Sequence, residues 1–226
     1  MTKGKILLGP SSFGAASPAP VALLQAAGYE VVDNPFKRRL TREELLGLLP
    51  GIKGLIARLE PLDRDVLEKS ELKALARVGS GMSNVDMPAA EDLGIQVSST
   101  PDGPTLAVAE LTVGCLMNLL RQTSAMDRAM RAGDWDKRMG RQLRDLTIAI
   151  VGYGRIGRKT GELFSALGAK IQIVDPFVDA ASVSAPVVSL EQALEGADAI
   201  ALHASGETCI IDAAAFERMK PGMFLL

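Results

Sequence analysis

The apolar run Leu146-Thr147-Ile148-Ala149-Ile150-Val151 passes straight into Gly152-Tyr153-Gly154-Arg155-Ile156-Gly157, and an amphipathic segment then runs from Arg155 to Leu167 and stops at Gly168. A bare G-x-G-x-x-G string is weak evidence, because glycines at that spacing also serve ordinary tight turns. A buried strand before it and a helix after it narrow the choice. Gly152 then permits the tight turn, Gly154 lets backbone approach a ligand, and Gly157 lets helix and strand pack closely. The helix N-terminus offers N–H groups and a positive dipole end to an anion such as a pyrophosphate. The reading is a strand–turn–helix unit of a parallel α/β sheet.

The next apolar run, Lys170 to Val174, ends in Asp175, 18 residues past Gly157. A carboxylate there can accept hydrogen bonds from both hydroxyls of an adenosine ribose and would repel a 2′-phosphate, so NAD is favoured over NADP. The competing reading is that Asp175-Pro176 only ends the strand in a turn. The cofactor-binding set from this region is Gly152, Gly154, Arg155, Ile156, Gly157 and Asp175.

Similar alternation fills the rest of the 226 residues. Short apolar runs at 5–8, 30–33, 54–58, 72–76 and 95–98 read as strands, with helix-like stretches such as Pro20 to Ala27 and Asp63 to Lys69 between them. The βαβαβ pattern predicts a parallel sheet covered by helices. Thr100-Pro101-Asp102-Gly103-Pro104 is the densest breaker cluster in mid-chain, and a long helix begins near Thr105. The domain boundary is placed there, giving residues 1–103 and 104–226. Further strands are expected at 197–202 and 223–226.

Charge and composition limit the partners. Lys plus Arg number 25 against 27 for Asp plus Glu, a net charge of −2, which gives no electrostatic reason to expect nucleic acid or an anionic membrane. Cys115 and Cys209 lie in no metal-binding or redox spacing, so no metal is expected and a cytoplasmic setting fits. Leu106 to Leu120, the longest apolar stretch, is interrupted by Glu110 and Asn118 and is too short to span a bilayer. It reads as a buried or interface helix.

Several motifs in one order resemble the D-2-hydroxyacid dehydrogenase family, in particular its phosphoglycerate-dehydrogenase-like branch. They are Arg77-Val78-Gly79-Ser80-Gly81-Met82-Ser83-Asn84-Val85-Asp86, Ala107-Val108-Ala109-Glu110-Leu111, Gly133-Asp134-Trp135 and Met219-Lys220-Pro221-Gly222, besides the glycine motif itself. The resemblance implies a flavodoxin-like substrate domain, an incomplete Rossmann domain for NAD, and a cleft between them. It implies a small 2-hydroxy or 2-oxo acid as substrate, its carboxylate held by N–H groups near Ser80 and Gly81, where the alternative is a glycine-rich turn without a ligand. Arg58 matches a substrate-contacting arginine, or is a solvated charge at a strand end. It also implies a homodimer through the helix near Leu106 to Leu120.

His203 is the sole histidine. A search for a general acid would select it, but the family's Leu-His pair lies beside the nicotinamide ribose, and the proton-transferring histidine lies further on. Cofactor contact and a satisfied strand-end imidazole both remain open for His203. Ser205 stands where the family usually has proline, and the loop Ala204 to Glu207 looks shortened. The family's catalytic arginine, glutamate and histidine fall beyond Leu226, so no catalytic residue is assigned. The sequence reads as a C-terminally truncated member, inactive as these 226 residues alone. A non-catalytic nucleotide-binding or interaction module is the competing reading.

Overall fold

The computed structural model describes residues 2–206 and 209–226. It divides into two compact units, Met1–Gly103 and Pro104–Leu226. Both are α/β units with wholly parallel sheets.

The first unit carries β1 (Lys5–Leu8), β2 (Glu30–Asp33), β3 (Ile52–Ala57), β4 (Ala74–Arg77) and β5 (Gln96–Ser99) in the order β2-β1-β3-β4-β5. Between them run α1 (Ala19–Ala26), α2 (Arg42–Leu48), α3 (Arg64–Glu68) and α4 (Met87–Asp92). Three of these helices begin on side-chain caps: Thr41 in a capping box with Glu44, Asp63 onto the Val66 N–H, and Asp86 onto the Ala89 N–H. Their inner faces supply Leu45, Leu49, Val66, Leu67, Ala89 and Ala90 to one core with Leu7, Leu55 and Leu75 of the sheet. The sequence reading named neither α2 nor α4. Both are short, and it is their caps that mark them.

In the second unit, α5 (Thr105–Arg121) and α6 (Thr123–Arg131) precede β6 (Thr147–Val151), α7 (Arg155–Ala166), β7 (Lys170–Val174), α8 (Leu190–Gly196), β8 (Ala199–Leu202), α9 (Ala213–Arg218) and β9 (Phe224–Leu225). The sheet order is β7-β6-β8-β9. The long helix expected from Thr105 stops at Gln122, which adopts a left-handed conformation at φ 53°, and a second helix starts immediately after it. No Gly or Pro marks this break, which is why the sequence concealed it.

β6 is buried on both faces, and its alternation assigns each face a partner. Ile148 and Ile150 join Leu116 and Leu120 of α5 and Phe164 of α7, whereas Ala149 and Val151 join Ala193 and Leu194 of α8 and Ala215 of α9. The sheet is thus sandwiched between two helical layers, the arrangement a near-continuous apolar strand requires. At the N-terminal edge of this sheet Asp198 accepts from the Thr147 N–H at 2.9 Å and from Arg141 and Lys220 at 3.1 and 3.0 Å. Burial pushes its carboxyl up, but these donors together hold it below the usual carboxylate range.

Phe164 is fully buried in the α5–α7 layer. Phe164→Ala is expected to cost about 3–5 kcal/mol, read as a lower urea midpoint at unchanged slope. A loss under about 1 kcal/mol would mean that this layer is not the core of the second unit.

Candidate dinucleotide site

The glycine turn stands where β6 ends and α7 begins, at the point where the chain order of the sheet reverses. β7 lies on one side of β6 and β8 on the other, so the successive crossovers leave in opposite directions. Two crowded backbones shape the turn. Gly152 has φ +87°, and a Cβ on it would come 2.7 Å from the carbonyl carbon of His203, because the chain leaving β8 passes directly over it. At Gly157 a Cβ would collide with the Gly152 carbonyl oxygen and lie 3.1 Å from Ile150. Gly154 differs, for among the described residues nothing lies within 4 Å of where its Cβ would be. That open side faces the start of a 12-residue helix whose N-cap, Gly154 itself, provides no side-chain cap. Backbone at a helix start whose N-cap residue has no side chain suits a pyrophosphate, and the residues fit a dinucleotide.

Asp175 is drawn into the same turn. Its Oδ2 accepts the Tyr153 N–H at 2.7 Å and its Oδ1 accepts the Phe177 N–H at 2.9 Å. The strand-ending turn weighed from sequence is therefore present, and the carboxylate also fastens β7 to the glycine turn. Each oxygen keeps acceptor capacity beyond the one bond it makes. Arg155 is exposed and Ile156 partly buried on the first turn of α7, and Arg158 lies over the Tyr153 ring at 5.0 Å.

His203 follows β8, with its N–H donating to the Val151 carbonyl at 2.7 Å. The imidazole Nε2 lies 3.1 Å from Oγ1 of Thr160, a fully buried residue of α7. The ring thus has a protein partner, which sequence spacing could not reveal across 43 residues. Burial lowers its pKa below the usual imidazole value. The shortened loop expected at Ala204 to Glu207 ends on Glu207, outside the described residues.

In the first unit, Ser80 and Gly81 are exposed on the loop after β4, and Arg58 is exposed after β3. The loop is pinned by the Gly79 N–H donating to Thr100 Oγ1 at 2.9 Å. Arg77, to which the sequence reading gave no role, packs its guanidinium against Gly79 and donates to the Val78 carbonyl at 2.6 Å. A positive charge therefore lies beside Ser80 and Gly81.

A parallel doubly wound unit with this turn at its switch point defines a dinucleotide-binding α/β protein. Comparison with known proteins narrows the class. Residues 113–226 match the family model described as D-isomer specific 2-hydroxyacid dehydrogenase, NAD binding domain, and the chain belongs to that family. D-3-phosphoglycerate dehydrogenase of Rattus norvegicus is 36% identical over 211 residues, which cover 89% of this chain and 39% of that protein. The chain thus spans about two-fifths of the length of that curated relative. Among solved structures, the TT0316 protein from Thermus thermophilus superposes with a TM-score of 0.84 at 27% identity, covering 98% of this chain and 72% of that one. The NAD+-bound 3-phosphoglycerate dehydrogenase of Entamoeba histolytica shares the fold, with a TM-score of 0.77 at 24% identity, covering 98% of this chain and 70% of that one. NAD is the cofactor of the domain.

The neutral His203 ring makes stability depend on pH. Its folded pKa lies below the unfolded value of about 6.5, so its contribution is complete above that pH and is lost as the pH falls through the folded value. The wild-type urea midpoint should fall between about pH 7.5 and 5.5, and His203→Gln should flatten that slope. An identical slope in the variant would show that His203 is not the titrating group.

Proposed function

We propose that the chain is the NAD-handling part of a D-2-hydroxyacid dehydrogenase, working in the cytoplasm on a small 2-hydroxy or 2-oxo acid. The observation that carries the reading is the glycine turn at the switch point, with the Asp175 carboxylate bonded to its Tyr153 N–H. In this reading the pyrophosphate lies along Gly154, Arg155 and Ile156, and Gly152 and Gly157 provide the close packing that forms the turn. Asp175 receives the adenosine ribose hydroxyls, and His203 borders the nicotinamide end through its backbone. When bound, NAD accepts or gives the hydride at the substrate C2. The N–H groups near Ser80 and Gly81, with Arg58, hold the substrate carboxylate.

Hydride transfer also needs a base for the hydroxyl proton and a cation for the developing carbonyl charge. His203 is a poor base for this purpose because its Nε2 is engaged by Thr160.

The chain is further proposed to form a homodimer through α5. Its inner face buries Ala109, Thr112, Leu116 and Leu120, while Leu106, Leu111 and Leu119 remain exposed on the same helix. These exposed leucines are apolar area that a second copy of the chain would cover.

Asp175→Ala should weaken NADH binding at least tenfold in calorimetry while NADPH binding weakens less or improves. The ratio of the two is the decisive quantity, since loss of the Tyr153 bond alone would disturb both cofactors equally. An unchanged ratio would remove the ribose role. In sedimentation velocity the wild type should run at twice the chain mass, with Leu111→Lys running as a monomer. A monomeric wild type would refute the association.

A further inference from the structure

The inner face of α7 is a buried stripe of Gly157, Thr160, Gly161 and Phe164, spaced as one face of a helix requires. Thr160 is the one polar side chain in that stripe, and it is fully buried. A valine would have nearly the same shape, so the buried hydroxyl needs a partner to be tolerated there. A helical threonine commonly returns its hydroxyl to the carbonyl one turn back. Thr112 of α5 does so, donating to the Val108 carbonyl at 2.8 Å. Thr160 differs, for among the described residues its hydrogen-bond partner is Nε2 of His203 at 3.1 Å.

His203 is held at three points. Its N–H donates to the Val151 carbonyl at 2.7 Å, its carbonyl carbon passes over Gly152, and its ring meets α7 at Thr160. The imidazole therefore ties the chain leaving β8 to the helix that follows the glycine turn.

The proton count gives that tie a direction. A hydroxyl has one proton to donate, and buried donors are paired. With no other acceptor among the described residues, the Thr160 hydroxyl donates to Nε2. A neutral imidazole that accepts at Nε2 carries its proton on Nδ1. Burial favours the neutral ring by lowering its pKa. Among the described residues nothing accepts from Nδ1, and His203 is only partly buried. A donor is thus left over beside the glycine turn.

We propose that Thr160 is a positioning residue, which sets His203 in the Nδ1–H tautomer and leaves that N–H to donate to an oxygen of the nicotinamide ribose. The proposal rests on the reading of His203 as bordering the nicotinamide end of NAD. Thr160 acts through the ring and not on the cofactor directly.

His203 is the sole histidine, so long-range ¹H–¹⁵N correlation of imidazole rings in the full 226-residue chain gives one pattern, and that pattern distinguishes the two tautomers. At about pH 8, where the ring is neutral, the wild type should show the Nδ1–H pattern and Thr160→Ser should keep it. Thr160→Val should move the ring toward the Nε2–H form that a free imidazole prefers. In calorimetry Thr160→Val should bind NADH at least threefold more weakly, with Thr160→Ser within twofold of the wild type. A wild-type ring in the Nε2–H form would overturn the proposal whether or not the valine variant folds. So would a valine variant with an unmoved tautomer or unmoved NADH affinity, and so would equal losses in the valine and serine variants, which would mark Thr160 as packing alone. Failure of the wild type to bind NADH would defeat the dinucleotide reading and the ribose contact with it, whereas NADH bound beside an Nε2–H ring defeats the role of Thr160 alone.

Discussion

Three stretches of backbone converge at the end of β6, and the second unit is organised around their close approach. The chain leaving β8 crosses over Gly152, while Gly157 of α7 sits against the Gly152 carbonyl. No side chain fits at either position, so any larger residue would push α7 away from the sheet and loosen the layer that buries Phe164 and Leu116. The same crowding exposes the backbone at Gly154, where the approach is open. Packing and ligand access thus arise from one constraint.

That constraint is met at a place set by winding. Parallel neighbours need crossovers, crossovers are right-handed, and a reversal of their direction opens a crevice between the two central strands. Both units reverse at the same step: the second strand lies beside the first, and the third returns to its other side. The units differ in how the crevice is furnished. One has a glycine turn, a helix start with glycine at its N-cap and a carboxylate; the other has Gly9-Pro10-Ser11, a buried glutamate and two arginines. The first arrangement suits a pyrophosphate with a ribose beside it.

Much of this was legible in the sequence because local rules govern it. Apolar runs marked most of the strands, and the glycine spacing after a strand marked the turn. The parts that were hidden depend on contacts between distant residues. Asp175 looked like a ribose acceptor or a strand-ending turn; it makes the turn and also holds the Tyr153 N–H, a bond across 22 residues. Thr160 gave no sign that it partners His203. Glu60 would be taken for a surface charge, and only the fold buries it. The break at Gln122 lacks the glycine or proline that usually announces one, and Asn118 supports it by accepting from Ser124 at 2.9 Å. The shared winding of the two units leaves no repeat in the sequence, because topology constrains hydrophobic pattern far more than residue identity.

The central claim is that the turn between β6 and α7 receives the pyrophosphate of NAD while Asp175 receives the ribose. A crystal structure of the chain grown with NAD+ tests it most directly. The account predicts phosphate oxygens within hydrogen-bond distance of backbone N–H groups in the 154–157 segment, and both adenosine ribose hydroxyls on the Asp175 carboxylate with its Tyr153 bond intact. A dinucleotide seated elsewhere, or a ribose that makes no contact with Asp175, would contradict it.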